Sequence, residues 1–127
     1  MTWSRLMSAA TASYGAYALA TPRHLGRFLT DDRRRQGDFD LLAQTYGARD
    51  LAISTVGMLG RSERTVTAAM LIRVACDVSD GLLLSAKAQD DEARAKVLGV
   101  TFGWAALNLL ALARDRRVSR RSRAVRE

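Results

Sequence analysis

The chain is short of almost everything that a metal centre, a disulfide scaffold or a β-fold requires. It holds one cysteine, one proline and one histidine in 127 residues. Cys76 has no second cysteine to close an internal disulfide, and no CxxC or His/Cys pair surrounds it to begin a zinc site. Neither a structural metal nor a cofactor is expected. Aromatic residues make up only 6% of the sequence, and the short alternations of β-branched and aromatic residues that mark strands are scarce, so the chain reads as all-α.

Acidic residues are also in deficit, 13 against 20 basic ones, which gives a net charge of +7 and a pI near 10.7. Such a balance raises nucleic acid as a partner, but the charge does not run along a readable helix face. Seven of the basic residues fall in the last 14 positions, "RDRRVSRRSRAVRE". Residues 114–127 therefore read as a disordered basic tail that anchors topology against anionic lipid, and no specific nucleic-acid binding is expected.

What the chain does have is apolar sequence, 48% of its residues. It rises and falls four times within one domain, residues 1–113, over spans of about 4–21, 40–60, 65–87 and 96–113. The last, "VLGVTFGWAALNLLALA", runs 17 residues without a charge, at the lower limit for crossing a bilayer. The first, "LMSAATASYGAYALA", is rich in small residues that suit close helix packing in lipid. Pro22 ends it, and the stretch to Asp40, with Arg23, Arg27, Arg33 to Arg35 and four aspartates, reads as a long polar loop with an amphipathic turn at "RHLGRFL".

A mean hydropathy of −0.10 keeps a soluble four-helix bundle in view. However, a soluble helix of about 20 residues carries a charged face, and these windows are weakly amphipathic and almost free of Lys and Glu. The expected architecture is a four-helix transmembrane bundle in the plasma membrane. Residues 1–21 are expected to persist as its first helix: Arg5 is the only basic residue there and no compact leucine core follows it, although "YALATPR" offers a conceivable cleavage site. Four spans put both ends on one side, cytoplasmic by the positive-inside rule, with Arg5, Arg61, Arg64 and the tail inside and eight basic residues in the outer loops.

Charges interrupt the second and third spans. In "RVACDVSDGLLL", Asp77 lies about 40° round a helix from Arg73 and Asp80 about 20° to the other side, so all three share one stripe. In "YGARDLA", Arg49 and Asp50 point about 100° apart, with Tyr46 one turn earlier. Unpaired, each Arg or Asp at a helix centre costs about 2.5 to 3.5 kcal/mol, so the five must be paired or hydrated. The expected pairs are Arg49 with Asp77 or Asp80, and Arg73 with Asp77 or Asp50. Two arginines against three aspartates leave one carboxylate over, the place for a protonated acid, a hydrogen-bond donor or a cationic ligand.

Other residues carry weaker signals. His24, beside Arg23 and Arg27, reads as a surface or interfacial residue. Trp3, Trp104, Tyr14 and Tyr17 read as interface anchors or packing. "GVTFG" and the pair Gly57 and Gly60 look like helix contacts, since a phosphate-cradling loop would need a strand before it.

"YGARDLAISTVGML" followed by "ACDVSDGLLL" resembles the signature segments of DUF4267, a family of small membrane proteins with about four transmembrane helices, a "GxRDL" motif in the second and a "DxxD"-like motif in the third. The resemblance runs from the first span through Ala113, and the matching positions are Gly47, Arg49, Asp50 and Leu51, then Asp77, Asp80 and Gly81. It implies a membrane location and no activity.

Two functional readings follow. In the first, the cluster is an intramembrane site for a small apolar or amphipathic molecule, with Asp77 and Asp80 as catalytic acid/base or hydrogen-bonding groups, Arg49 as orienting cation, and Tyr46, Asp50 and Arg73 completing the network. In the second, the chain is a non-catalytic accessory or homo-oligomeric packing protein whose ion pairs only lock its helices. Cation-coupled transport ranks below both, because no span has a broken-helix pattern. The partners expected are the bilayer, a small lipophilic ligand, and a second copy or another membrane protein.

Overall fold

The computed structural model describes residues 1–126, and these are helical with no strand among them. The elements run α1 (Thr2–Ala20), α2 (Arg23–Leu29), α3 (Arg33–Gln36), a 3-10 turn (Gly37–Phe39), α4 (Asp40–Leu59), α5 (Glu63–Lys87) and α6 (Asp91–Ala124). Helix α1 packs along α4 and α5 along α6, and the two pairs face each other as a bundle of four long helices.

Local chemistry sets the boundaries. Ser62 starts α5, its Oγ accepting from Thr65 N–H at 3.1 Å, and Asp90 starts α6 by accepting from Ala93 N–H at 2.8 Å. Acidic residues follow in both first turns, Glu63 in α5 and Asp91 and Glu92 in α6, where the helix dipole favours them. Helix α1 has no cap of its own sequence. Its free N–H groups at Trp3 and Ser4 donate instead to the Asp115 carboxylate on α6, at 3.2 and 2.7 Å.

The helices approach through small residues. Ser4, Ser8, Thr11, Gly15 and Ala18 form the buried stripe of α1, and Ala43, Gly47, Asp50, Ser54 and Gly57 that of α4. A Cβ on Gly47 would sit 2.7 Å from the Gly15 carbonyl oxygen, and one on Gly15 would sit 2.8 Å from that of Gly47. The two backbones are in contact, as in small-xxx-small helix pairs.

Apolar packing closes the bundle at both ends. Leu25 and Leu29 of α2 fold over Ala43, Leu84 and Val97, and at the far end Val66 and Met70 pack on Ala111 and Leu112. Between these plugs lies a polar waist.

Two expectations are corrected. The expected disordered tail, residues 114–127, is helical over most of its described length: α6 continues to Ala124, and Glu127 lies outside the described residues. Asp115 is held by α1, while Ser119 Oγ and Arg123 donate to Glu63 at 2.9 and 3.0 Å, tying the last turns to the start of α5. The stretch from Pro22 to Asp40 is not an open loop. It folds into α2, α3 and a 3-10 turn, because Leu25 and Leu29 supply a buried face and Asp32 caps α3 through Arg34 N–H at 3.0 Å. The other long helices begin and end within one or two residues of the expected segments, and the fourth runs over 91–124 where 96–113 was expected. Only α6 among the described helices is long and apolar enough by itself to cross a membrane, with a window of mean hydropathy 1.5 that is 28% buried.

Candidate functional site

The waist brings together all five charges that interrupt the spans. Arg49 of α4 grips Asp80 of α5 with both terminal nitrogens, Nη1 to Oδ1 at 2.9 Å and Nη2 to Oδ2 at 2.5 Å, and also donates to Asp50 Oδ1 at 3.0 to 3.1 Å. Arg73 donates through Nε and Nη2 to Asp77 Oδ1 and through Nη1 to Asp50 Oδ1. Asp50 is thus the shared acceptor that links the two arginines. The expected alternatives resolve into Arg49 with Asp80 and Arg73 with Asp77, with Asp50 joined to both.

Burial makes this pairing obligatory. Asp50, Arg73, Asp77 and Asp80 are all buried, and Asp50 is only 2% exposed. Arg49 is the more open member, its guanidinium lying 4.5 Å from the centroid of the Tyr46 ring. Tyr46 therefore belongs to the network through its π face.

Two carboxylate oxygens stand outside it: every bond to Asp50 is to Oδ1, which leaves its Oδ2 without a donor. Asp77 Oδ2 is buried and has no hydrogen-bond partner within the protein. Asp77 lines a cavity of about 210 Å³ between the two helix pairs, walled by Thr11 and Tyr14 of α1, Tyr46 and Asp50 of α4, Arg73, Asp77 and Asp80 of α5, and Val100, Thr101 and Trp104 of α6. Tyr14 and Val100 at its rim are 45% and 59% exposed, so the cavity opens sideways between α1 and α6. Larger hollows exist at the ends, including one of about 560 Å³ among Arg23, Arg27, Arg33 and Gln36, but their walls lack the five charges of the waist.

The sequence reading missed the aromatic half of this site. Trp104 and Tyr14, expected as anchors or packing, both line the cavity. Trp104 Nε1 donates to Thr11 Oγ at 3.0 Å, closing the floor between α6 and α1. Tyr14 hydroxyl meets His24 Nε2 at 2.8 Å, while His24 Nδ1 meets the Thr21 carbonyl oxygen at 2.8 Å. A carbonyl only accepts, so Nδ1 carries a proton; in the neutral ring Nε2 then accepts from Tyr14. The available signal was spacing: Thr101, Trp104 and Asn108 fall at i, i+3 and i+7, placing two uncharged polar residues on one face of the most apolar segment.

Below the waist, Asp115 fastens the bundle. Burial works against its charge, yet the N–H donors of Ser4 and Trp3 hold its carboxyl below the ordinary value. Cys76, at the edge of the third span's stripe, is a free thiol outside the cavity wall. Comparison with protein-family models, with curated proteins and with solved structures gives no match to this chain.

Proposed function

We propose that the chain is a multi-pass protein of the plasma membrane whose polar waist binds a small amphipathic molecule at mid-depth in the bilayer. The membrane part rests on where the polar and the large apolar residues lie. Ser4, Ser8, Thr11, Asp50, Ser54, Arg73, Asp77, Asp80 and Asn108 are buried beside the apolar core, while Leu6, Leu41, Leu59, Leu71, Ile72, Leu82, Leu83, Leu107, Leu109 and Leu110 face outward. An exterior rich in leucine around an interior that holds charge suits lipid as solvent. Helices α1 and α4, with 19 and 20 residues, span about 30 Å at 1.5 Å per residue, the thickness of the hydrocarbon core. Both termini and the α4–α5 turn share one end with Arg5, Arg61, Arg64 and the basic stretch of α6, which the positive-inside rule assigns to the cytoplasm.

The binding part rests on one observation, the buried and unpartnered Oδ2 of Asp77, a residue that lines the cavity of the waist. A network built only to lock helices would leave no charged oxygen idle, since an unsatisfied buried acceptor costs about 1 to 3 kcal/mol. Asp80 has both oxygens committed to Arg49, so its role is to hold that guanidinium against Tyr46. Asp77, with one oxygen on Arg73 and one free, is the residue that would touch a bound molecule and exchange a proton with it. The resemblance of "YGARDLAISTVGML" and "ACDVSDGLLL" to DUF4267 segments fits this reading and adds no chemistry to it.

The test has two arms. Membranes carrying the protein are washed with alkaline carbonate, and binding of radiolabelled 2-phenylethanol is measured on the protein in lipid nanodiscs against empty nanodiscs. Retention in the pellet and saturable binding at one site, lost in Val100→Phe at the rim, are expected. Release by carbonate would overturn the membrane reading. Uptake that rises linearly, with no excess over empty discs, would overturn the binding reading.

A further inference from the structure

Resting on that reading, we infer that the molecule is a cation: a small lipophilic amine, protonated, whose N–H donates to Asp77 Oδ2 while its apolar part lies against Tyr14, Tyr46 and Trp104. Three properties of the cavity converge on this class.

The first is charge. Arg49 and Arg73 against Asp50, Asp77 and Asp80 leave the waist one negative charge in excess, and the pairing leaves one oxygen each of Asp50 and Asp77, both lining residues of the cavity, without a donor. A neutral occupant would leave the charge standing in a low-dielectric setting, whereas a monocation cancels it.

The second is the sign of the free hydrogen-bonding capacity. The guanidinium nitrogens of Arg49 and Arg73 are aimed at carboxylates. Trp104 spends its N–H on Thr11, Thr11 spends its O–H on the Met7 carbonyl, and Thr101 spends its own on the Val97 carbonyl at 2.8 Å. The acceptors left over in the wall are carboxylate oxygens, Asp77 Oδ2 and Asp50 Oδ2, which suit an occupant that donates.

The third is the aromatic lining. With the polar edges of Trp104 and Tyr14 engaged by Thr11 and His24, what these side chains offer the cavity is π surface. Aromatic rings beside a carboxylate form a box for alkylammonium groups. A bare metal ion is a poor alternative, since hard cations take about six or more oxygen ligands and here only two carboxylate oxygens, Asp50 Oδ2 and Asp77 Oδ2, accept from no donor. The volume of about 210 Å³ exceeds the cavity of about 150 Å³ that admits benzene, which sets the size at a single ring or a short branched chain.

The experiment compares two probes of nearly the same shape, 2-phenylethylamine and 2-phenylethanol, on the full chain in nanodiscs at pH 7. The expected result is saturable binding of both, with the amine tighter by about tenfold or more, the ratio that a charge-assisted bond gives over a neutral one. In Asp77→Asn, which keeps an Oδ1 acceptor for Arg73 but removes the charge and replaces the free oxygen with an NH2 donor, the amine preference should fall to about threefold or less. Equal affinity of the two probes in the wild type would overturn the cation while leaving the cavity as a binding site. Binding of neither would overturn both. The wild-type comparison needs no variant, so misfolding of Asp77→Asn would not blunt it, and an unchanged preference in a folded Asp77→Asn would also refute the inference.

Discussion

The replacement Arg73→Met removes the central cation of the waist while keeping an unbranched apolar stem. Arg73 is 6% exposed and donates to Asp77 Oδ1 through two nitrogens and to Asp50 Oδ1 through a third. Its loss leaves Asp50 to Arg49 alone, strips Asp77 of every partner and takes the cluster from one excess negative charge to two. Breaking a buried pair from one side costs about 3 to 5 kcal/mol, because the orphaned charge remains buried. Against a total stability of about 5 to 15 kcal/mol, this is the difference between a folded and a marginal protein. The double variant Arg73→Met/Asp77→Leu removes both partners, returns the cluster to one excess charge and should recover about 2 kcal/mol or more of the loss. The assay is denaturation in mild detergent followed by far-ultraviolet circular dichroism, closed as a double-mutant cycle with the two single variants. If each single variant costs under about 1 kcal/mol and the two effects add, the charges are hydrated and independent, and the argument from the network fails.

Three further outcomes follow from the packing. Gly47→Ala places a Cβ 2.7 Å from the Gly15 carbonyl oxygen, so α1 and α4 must separate; a loss of about 1 to 3 kcal/mol is expected, and adding Gly15→Ala should cost less than it does alone, read from the same melts. Asp115→Asn weakens the cap that α6 provides to α1, costing about 1 to 2 kcal/mol at neutral pH. Since the Asp115 carboxyl is held low in the folded state, its contribution is complete above the ordinary carboxyl pKa of about 3.9 and is lost as pH falls through the folded value. The gap between wild type and variant should then be flat from about pH 5 to 8 and close in acid. Glu63→Gln releases Ser119 and Arg123, an exposed contact worth under about 1 kcal/mol, so global stability should barely move while amide exchange over residues 117–124 accelerates; unchanged exchange would mean the last turns hold themselves.

The charged half of the waist was legible from spacing because a helix fixes the angles between residues. Arg73, Asp77 and Asp80 had to share a stripe, and the count of two against three forced a spare carboxylate. Which carboxylate was spare depended on how α4 and α5 pack against each other, and no short window of sequence contains both helices. The aromatic half was hidden for a different reason. Tyr14 and Trp104 sit on α1 and α6, far apart in the chain, and an aromatic residue looks the same in sequence whether it faces a headgroup or a cavity. The helical tail was missed because its support is tertiary: arginine runs argue for solvation, but the start of α1 holds Asp115 and Glu63 of α5 holds Ser119 and Arg123. The loop from Pro22 to Asp40 was misjudged by charge density, which masked Leu25 and Leu29, two residues that seal one end of the core.

The length of α6 has one more consequence. Its 34 residues make a rod of about 51 Å, some 20 Å longer than α1 or α4, and its last turns stack Arg116 over Arg120 and Arg117 over Arg121. Like charges four apart repel along a helix, so this overhang behaves as a compressed electrostatic spring, held shut mainly where Asp115 and Glu63 grip it. Screening should relax the spring and the waist should not notice: added salt would strengthen the outer turns of α6 while leaving the buried ion pairs as they are. The two ends of one continuous helix would thus answer the same ionic change differently.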